Sequence, residues 1–376
     1  MILSRMFFLW LGMLIALSLP TITLAGIPLT DEDDRDYWLP QQVNAPGILE
    51  AFQQTVSSKS EPYNGLSKPV RIALIYPSAD VSDFWTRNYL ALTRRLDELN
   101  IPFTTQEFSS KQIEHSLQTN YTDEVIQLAE TFDYVIFGPS ELDVQAENIQ
   151  RLSAVPNFNT FIWAFHTPKK EWSHSPKAWF DFSSSMGAKA LCDYLITHLG
   201  KGILFAMNRG IPGITDDQRS QEFADCAQSK GLWLNVYEHF GQYQEKGGND
   251  GAKLILKNFP ETTVLHNANT AMAIGAVKAV EVAHELNRLL ITGWGGTAKE
   301  LEKIHEGSLY ATPMRMGDDV GVATAEAIKY ILEERDKELP TVYLGRITVI
   351  SRSMNDEEIR QLANEAFRYS GQTVSP

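Results

Sequence analysis

The sequence predicts an α/β protein: two doubly wound parallel-sheet lobes joined by a multi-crossing hinge, with a ligand cleft between them. Three observations predict it. From Pro69 onward, short apolar runs alternate with helix-length segments, the pattern of parallel strands linked by crossover helices. The same plan then repeats in the second half of the 376 residues, a length that suits two domains. Finally, Leu289–Asp319 reads LLITGWGGTAKELEKIHEGSLYATPMRMGDD, a strand, a glycine loop, a helix and a second strand ending at Arg315. Strand ends in open α/β sheets are where ligands bind.

Residues 1–25 read as a signal peptide. MILSRM carries one Arg, Phe7–Pro20 is apolar, and Thr23-Leu24-Ala25 precedes a cut at Gly26. The apolar run is shorter than the ~20 residues a membrane span needs. An exported protein of the periplasm, with no membrane insertion after cleavage, is expected. Residues 26–68, punctuated by Pro and Asp and carrying Tyr37-Trp38, form an arm packed on the first lobe.

The N-terminal lobe is expected over residues 69–177 plus 316–345. Its strands are Arg71–Tyr76, Phe103–Phe108, Tyr134–Phe137 and Thr160–Phe165, separated by helices Asp83–Leu99, Asn120–Thr131 and Leu142–Ala154. A polar passage, His166–Pro176, leads to the C-terminal lobe at 178–315. That lobe opens with strand Ala178–Phe182 and continues with strands Ile203–Met207, Trp233–Tyr237, Thr263–His266, Leu289–Thr292 and Leu309–Met314. Its helices are Met186–Leu199, Asp216–Ser229, Gly251–Asn258 and Ala271–Leu286. Helix Asp319–Glu333 and strand Thr341–Val349 are expected to cross back to the first lobe, giving several hinge crossings that permit closure around a ligand. Residues 346–376 supply a hinge strand and a tail, with Asn355–Tyr369 one amphipathic helix.

Hydrophobic residues make up 43% and charged residues 21%, an ordinary globular composition. A formal charge of −14 argues against nucleic acid, which is bound by positive surfaces. The two cysteines, Cys192 and Cys226, fit one bridge or two buried thiols. TGWGGT lacks the Lys-Ser/Thr of a P-loop and the spacing of a dinucleotide site. HExxH, CxxC and GxSxG are absent, and the eight histidines show no ligand spacing. A binder rather than an enzyme is expected, with no cofactor, metal or catalytic residue.

Candidate residues come from loops after strands. Trp294, flanked by Gly293 and Gly295, is read as an exposed stacking platform, and Arg315 as a clamp. After the first strand, the loop from Tyr76 to Trp85 opens a helix whose N–H groups can meet an oxyanion or hydroxyl. Ser82 or Asp83 is its N-cap, and Trp85 either lines the cleft or joins the core. The loop Asn208–Arg219 delivers Arg219. Thr270 is a helix cap, alone or with ligand contact.

VSDFWTRN, NTAMAIGAVKAV, ITGWGGTAKEL, MRMGDD and AFRYSG resemble the LuxP-type autoinducer-2 receptors among the type I periplasmic binding proteins, the ribose- and galactose-binding group. The resemblance spans Val70 to Gly371, dense in the second half and thin between Ser109 and Pro168. It implies a Venus-flytrap cleft that closes on a small cyclic polyol. The furanosyl borate diester of quorum sensing is the first candidate, with a membrane sensor kinase of the LuxQ type as partner. The alternative is a ribose-like sugar carried to an ABC permease. Carried over by motif, the site comprises Asp80, Ser82, Trp85, Arg219, Thr270, Trp294 and Arg315. Two positions depart from the receptor pattern: Asp80 stands where it has Gln, and Ala164 where it has Asn. A carboxylate near a borate anion costs roughly 1–2 kcal/mol at an effective dielectric near 20. The lost Asn removes a hydrogen bond worth ~1 kcal/mol.

Overall fold

The computed structural model describes residues 40–65, 68–77, 83–110, 114–140, 142–163 and 170–371. The expected signal peptide at 1–25, the arm before Pro40, and Asp80, Ser82 and Ala164 lie outside the described residues.

The strand β1 (Val70–Pro77) shows why the first sheet is parallel. Ile72, Leu74 and Tyr76 enter one apolar cluster, while Ala73 and Ile75 enter another on the opposite face. A strand buried on both faces is the mark of a sheet covered by helices on both sides. The chain continues through α2 (Asp83–Glu98), β2 (Phe103–Ser110), α3 (His115–Gln127), β3 (Tyr134–Phe137), α4 (Leu142–Ser153), β4 (Asn159–Trp163) and β5 (Ala178–Asp181). Ahead of β1, α1 (Ile48–Ser57) buries Phe52 and Val56 in the same core.

The second lobe runs through α5 (Ser184–Leu199), β6 (Leu204–Arg209), a π-helical turn (Asp217–Gln221) and α6 (Glu222–Gly231). It continues with β7 (Leu234–Phe240), α7 (Glu245–Asn258), β8 (Val264–Asn267), α8 (Thr270–Val282), β9 (Leu290–Thr292), α9 (Ala298–His305) and β10 (Ala311–Arg315). The last elements are α10 (Asp319–Leu332), β11 (Val342–Leu344), β12 (Ile347–Ser351) and α11 (Asp356–Ala366). The two six-stranded sheets have the orders β11-β5-β4-β3-β1-β2 and β12-β10-β9-β8-β6-β7. Every pairing is parallel except β10 with β12.

Three expectations are corrected. Strand Ala178–Asp181 belongs to the first sheet, paired with β4 and β11, so the second lobe begins after Asp181 rather than at 178. Its side chains are buried. The strand expected at Thr341–Val349 is two strands. The chain breaks at Gly345-Arg346, leaving β11 in the first sheet and β12 antiparallel on the second. Residues 347–351 are therefore part of the second sheet rather than a separate hinge strand. Thr270 is the first residue of α8, and the cap is Asn269, whose side chain accepts from Met272 N.

The chain passes between the sheets three times, at Phe182-Ser183, at 316–318 and at Gly345-Arg346. These passages are clipped together. Gly345 N donates to Asp181 O at 2.7 Å, and Met316 N to Arg346 O at 2.9 Å. The Arg346 guanidinium donates to both Asp319 oxygens, at 3.0 and 3.1 Å. Cys192 and Cys226 form a disulfide that joins α5 to α6, with the Cα atoms 6.3 Å apart. Among the described residues, no helix is long and apolar enough to cross a membrane.

Candidate functional site

The loop after β9 is shaped by one buried carboxylate. Glu300, in the first turn of α9, accepts from the backbone N–H groups of Trp294 (2.8 Å), Gly296 (2.7 Å) and Thr297 (3.2 Å), and from the Thr312 hydroxyl (3.1 Å). Gly295 and Gly296 take φ of +119° and +66°, which residues with a Cβ rarely adopt. This framework sets the indole of Trp294. The ring is only 4% exposed, so the expectation of an exposed Trp is corrected. Its inward placement follows from Gly187 on α5, where a Cβ would lie 2.5 Å from the ring. The indole is a buried wall rather than an outward platform.

Arg219 lies in the π-helical turn, a feature common at functional sites. The loop that delivers it is tied down by Asp216, which accepts from Arg209 Nε (2.8 Å), Gly210 N (2.6 Å) and the Ser220 hydroxyl (2.8 Å). His266, fully buried on β8, contacts the Arg219 carbonyl through Nε2 at 2.9 Å and Thr292 Oγ1 through Nδ1 at 2.9 Å. A carbonyl only accepts, so Nε2 carries the proton and Nδ1 accepts from Thr292. Burial pushes this imidazole down to about 4, leaving it neutral. The Arg219 guanidinium sits 5.3 Å from the Trp294 ring centroid and donates from Nε to Ser184 Oγ at 3.2 Å.

Arg315 ends β10, with its guanidinium 5.7 Å from the centroid of Phe182, the residue after β5. One cavity is lined by Phe182, Ser183, Ser184, Thr215, Arg219, Trp294, Arg315 and Ile347. A second cavity shares Phe182 and Arg315, and adds Phe84 and Arg87 of α2, Gly295, Thr297, Gly317 and Phe367. The second takes residues from both lobes, whereas the first is lined by the second lobe and by the passage residues Phe182 and Ser183, of which Phe182 packs in the first-lobe core.

Charge in the cleft is concentrated. Burial first, and the neighbouring Arg315 charge second, push Arg219 down to about 10, still protonated at neutral pH. Burial lifts the Asp181 carboxyl well above its ordinary range, opposed by the Phe182 N–H and then by the charges of Arg315 and Arg219. Tyr243, whose phenol burial raises to about 12, follows Gln242 in a pair of left-handed residues (φ of +59° and +54°).

Of the residues predicted for the site, Arg219, Trp294 and Arg315 come together on one cavity. Thr270 lies at its back: its hydroxyl donates to Trp294 O at 3.2 Å, and a Cβ on Gly295 would be 3.8 Å from both Thr270 Oγ1 and Arg315 NH2. Trp85 sits in the first-lobe core at 2% exposure, against Gly138 and stacked on Tyr76. Its neighbour Phe84 lines the second cavity instead. Asp80 and Ser82 lie outside the described residues. Asp181, Phe182, Ser184, His266 and Glu300 were not predicted. Phe182 and Ser184 follow a strand end, the same signal that marks Arg315. Glu300 carries the capping-box spacing from Thr297.

No family model matches the chain. A D-ribose/D-allose-binding protein of Pseudomonas aeruginosa is 27% identical over 127 residues, 34% of this chain and 40% of its own length. A ribose import binding protein of Salmonella typhimurium is 22% identical over 148 residues, 39% of this chain and 50% of its own length. The chain thus spans about half the length of the curated relatives it matches. Among solved structures, a periplasmic ribose ABC transporter protein of Conexibacter woesei superposes with a TM-score of 0.70 at 14% identity, over 81% of this chain and 99% of its own. The fold is that of the periplasmic binding proteins, two parallel-sheet α/β lobes about a cleft.

Proposed function

We propose that this chain is an exported binding protein that closes its lobes on a small cyclic polyol of the ribose and allose class and presents it to an ABC permease in the periplasm. One observation carries the reading: Phe182 beside a strand end of the first sheet, and Arg219, Trp294 and Arg315 from the second, line a single cavity. The guanidiniums supply charge-assisted donors to ring hydroxyls, and the rings of Trp294 and Phe182 supply apolar faces for a sugar's C–H surface. The names of the sequence relatives, ribose and allose binders and a ribose import protein, support the same ligand class. Closure needs only that the ligand contact both lobes and bind the closed form better. Binding without turnover is the whole of the proposed activity.

A second reading is favoured by the paired arginines themselves. Two guanidiniums on one cavity also suit the furanosyl borate diester autoinducer-2, with a membrane sensor kinase as partner. Calorimetry with D-ribose, D-allose and the autoinducer, with and without borate, separates the two. Tight borate-independent binding of a sugar supports import, and binding only of the borate ester supports signalling. Arg315→Ala is expected to weaken either ligand about 100-fold, from loss of charge-assisted hydrogen bonds worth ~1.5–3 kcal/mol each. The melting temperature of the ligand-free protein should stay within a few degrees. A collapse of ligand-free stability instead assigns Arg315 to the scaffold.

A further inference from the structure

The turn between β7 and α7 is made of residues that its conformation disfavours. Gln244 N donates to Gly241 O at 3.0 Å, closing a four-residue turn whose central residues, Gln242 and Tyr243, have φ of +54° and +59°. Two left-handed residues at these positions are a pattern that glycine, asparagine and aspartate normally fill. Glutamine and tyrosine there hold a strained backbone, and such strain persists only where the surroundings enforce it. Here they do so from two sides. Gly241 N donates to Arg209 O at 2.9 Å, and the Tyr243 carbonyl accepts from Asn269 Nδ2 at 3.0 Å, next to Thr270 at the back of the cavity.

This anchoring lays the Tyr243 ring on the loop that carries Arg219. The tip of the phenol rests on Gly210, where a Cβ would lie 2.0 Å from Cζ and 2.4 Å from the hydroxyl oxygen. The hydroxyl itself is closed to solvent and makes no hydrogen bond. Phenylalanine would cover Gly210 equally well, so packing does not account for the hydroxyl, and leaving it buried without a partner costs free energy. Burial lifts the phenol to about 12, and the Arg219 charge is the foremost influence opposing that rise, which places the two groups in one neighbourhood. At neutral pH the group is a neutral hydroxyl, able to donate and to accept. The side-chain bonds of Arg219 are long, 3.2 Å to Ser184 Oγ and 3.4 Å to Ala268 O, so a ligand exchanges them at little cost.

We propose that Tyr243 is a specificity-determining residue of the sugar site: as the ligand draws the Arg219 guanidinium away from Ser184 and Ala268, the phenol hydroxyl bonds a neighbouring hydroxyl of the same polyol. The contact rests on the sugar-binding reading given above and adds a residue to it that lies outside the cavity of the ligand-free form.

The test is calorimetry with D-ribose and D-allose on the full chain, comparing the native protein with Tyr243→Phe, which keeps the ring on Gly210. The variant should bind sugar about fivefold to tenfold more weakly, the worth of one neutral hydrogen bond. Urea unfolding of the ligand-free variant should show a stability equal to or above that of the native protein, because a buried hydroxyl without a partner has been removed. A Tyr243→Phe protein that binds like the native one overturns the contact and leaves the sugar reading standing. A variant that is less stable without ligand overturns it as well, since the hydroxyl then serves the fold. Absence of binding of either sugar by the native protein removes both.

Discussion

At the scale of single residues, the cleft depends on groups that never touch solvent. His266 holds the carbonyl of Arg219 and is itself held by Thr292, so the turn that presents the guanidinium rests on a neutral imidazole. Its pKa in the folded protein is depressed to about 4, below the ordinary 6.5 of the unfolded chain. The stability it contributes is therefore present above pH 6.5 and is lost as pH falls from there through 4. Between pH 7 and pH 5 the loss is roughly 2 kcal/mol for this one group. Buried acids such as Asp181 and Glu300, whose pKa values are raised, act in the opposite sense, so the native protein alone does not isolate the effect. Urea unfolding of native protein and His266→Asn at both pH values does isolate it. The stability gap between the two should narrow by that amount at pH 5, and a constant gap would show that the imidazole is not held neutral. His266 was invisible in the sequence because a lone histidine on a strand carries no pattern. Arg219 and Arg315 were legible because each follows a strand end, where the backbone opens toward a cleft. Trp294 lines the cavity, in an environment other than the one expected. Flanking glycines suggested exposure, whereas the glycine that matters, Gly187, lies on another helix and admits the ring inward.

At the scale of elements, alternation and length recovered nearly every strand and helix, because parallel strands buried on both faces read as apolar runs between amphipathic helices. Three strands escaped that logic. β5 was assigned to the wrong sheet, since periodicity gives the strand but not its partner, and partner choice is decided by long-range pairing. β11 and β12 read as one run because Gly345-Arg346 interrupts neither the apolar pattern nor the spacing. The break is made by Arg346 turning to Asp319. The disulfide was undecidable from a count of two. In the structure it couples α5, which carries Ser184 and Gly187, to α6, which continues the turn bearing Arg219. It closes a loop with a sequence separation of 34, for which the chain-entropy estimate is about 3–4 kcal/mol. Cys192→Ala with Cys226→Ala should lower the unfolding free energy by an amount of that order. It should also weaken ligand binding severalfold, since the two helices that wall the Arg219 side of the cavity lose their covalent link. Equilibrium unfolding and calorimetry on the oxidised, reduced and doubly substituted protein check both parts. Unchanged affinity in all three would show that packing of Leu191, Leu195, Phe223 and Ala227 alone sets the cavity wall.

At the scale of the whole molecule, the three passages between sheets are supplemented by a contact that the sequence reading treated as a tail. Helix α11 packs on the second lobe through Ile359, Ala363 and Ala366, and Phe367 joins the same cluster. Two residues later, Tyr369 belongs to the core of the first lobe. Its hydroxyl donates to Glu98 Oε2 at 2.5 Å and accepts from Arg95 NH1 at 3.1 Å, while Arg94 bonds its carbonyl. Its N–H is held by Asp318 in the second passage, so the segment Phe367–Ser370 links both lobes and the hinge. Such a link restricts how far the cleft opens. Removing it enlarges the open ensemble without touching the Arg219 cavity, and apparent affinity falls in proportion to the closure-competent fraction. Tyr369→Phe, which keeps the ring but drops the hydroxyl, should cost about 1 kcal/mol of stability and leave affinity nearly unchanged. Tyr369→Ala should cost roughly 3 kcal/mol in the first lobe, and should also weaken ligand binding by roughly threefold to tenfold with a larger radius of gyration in the ligand-free state. Small-angle scattering beside calorimetry decides the point. A Tyr369→Ala protein that is less stable but scatters and binds like the native chain would reduce the C-terminal segment to a packing element, and leave domain motion to the three passages alone.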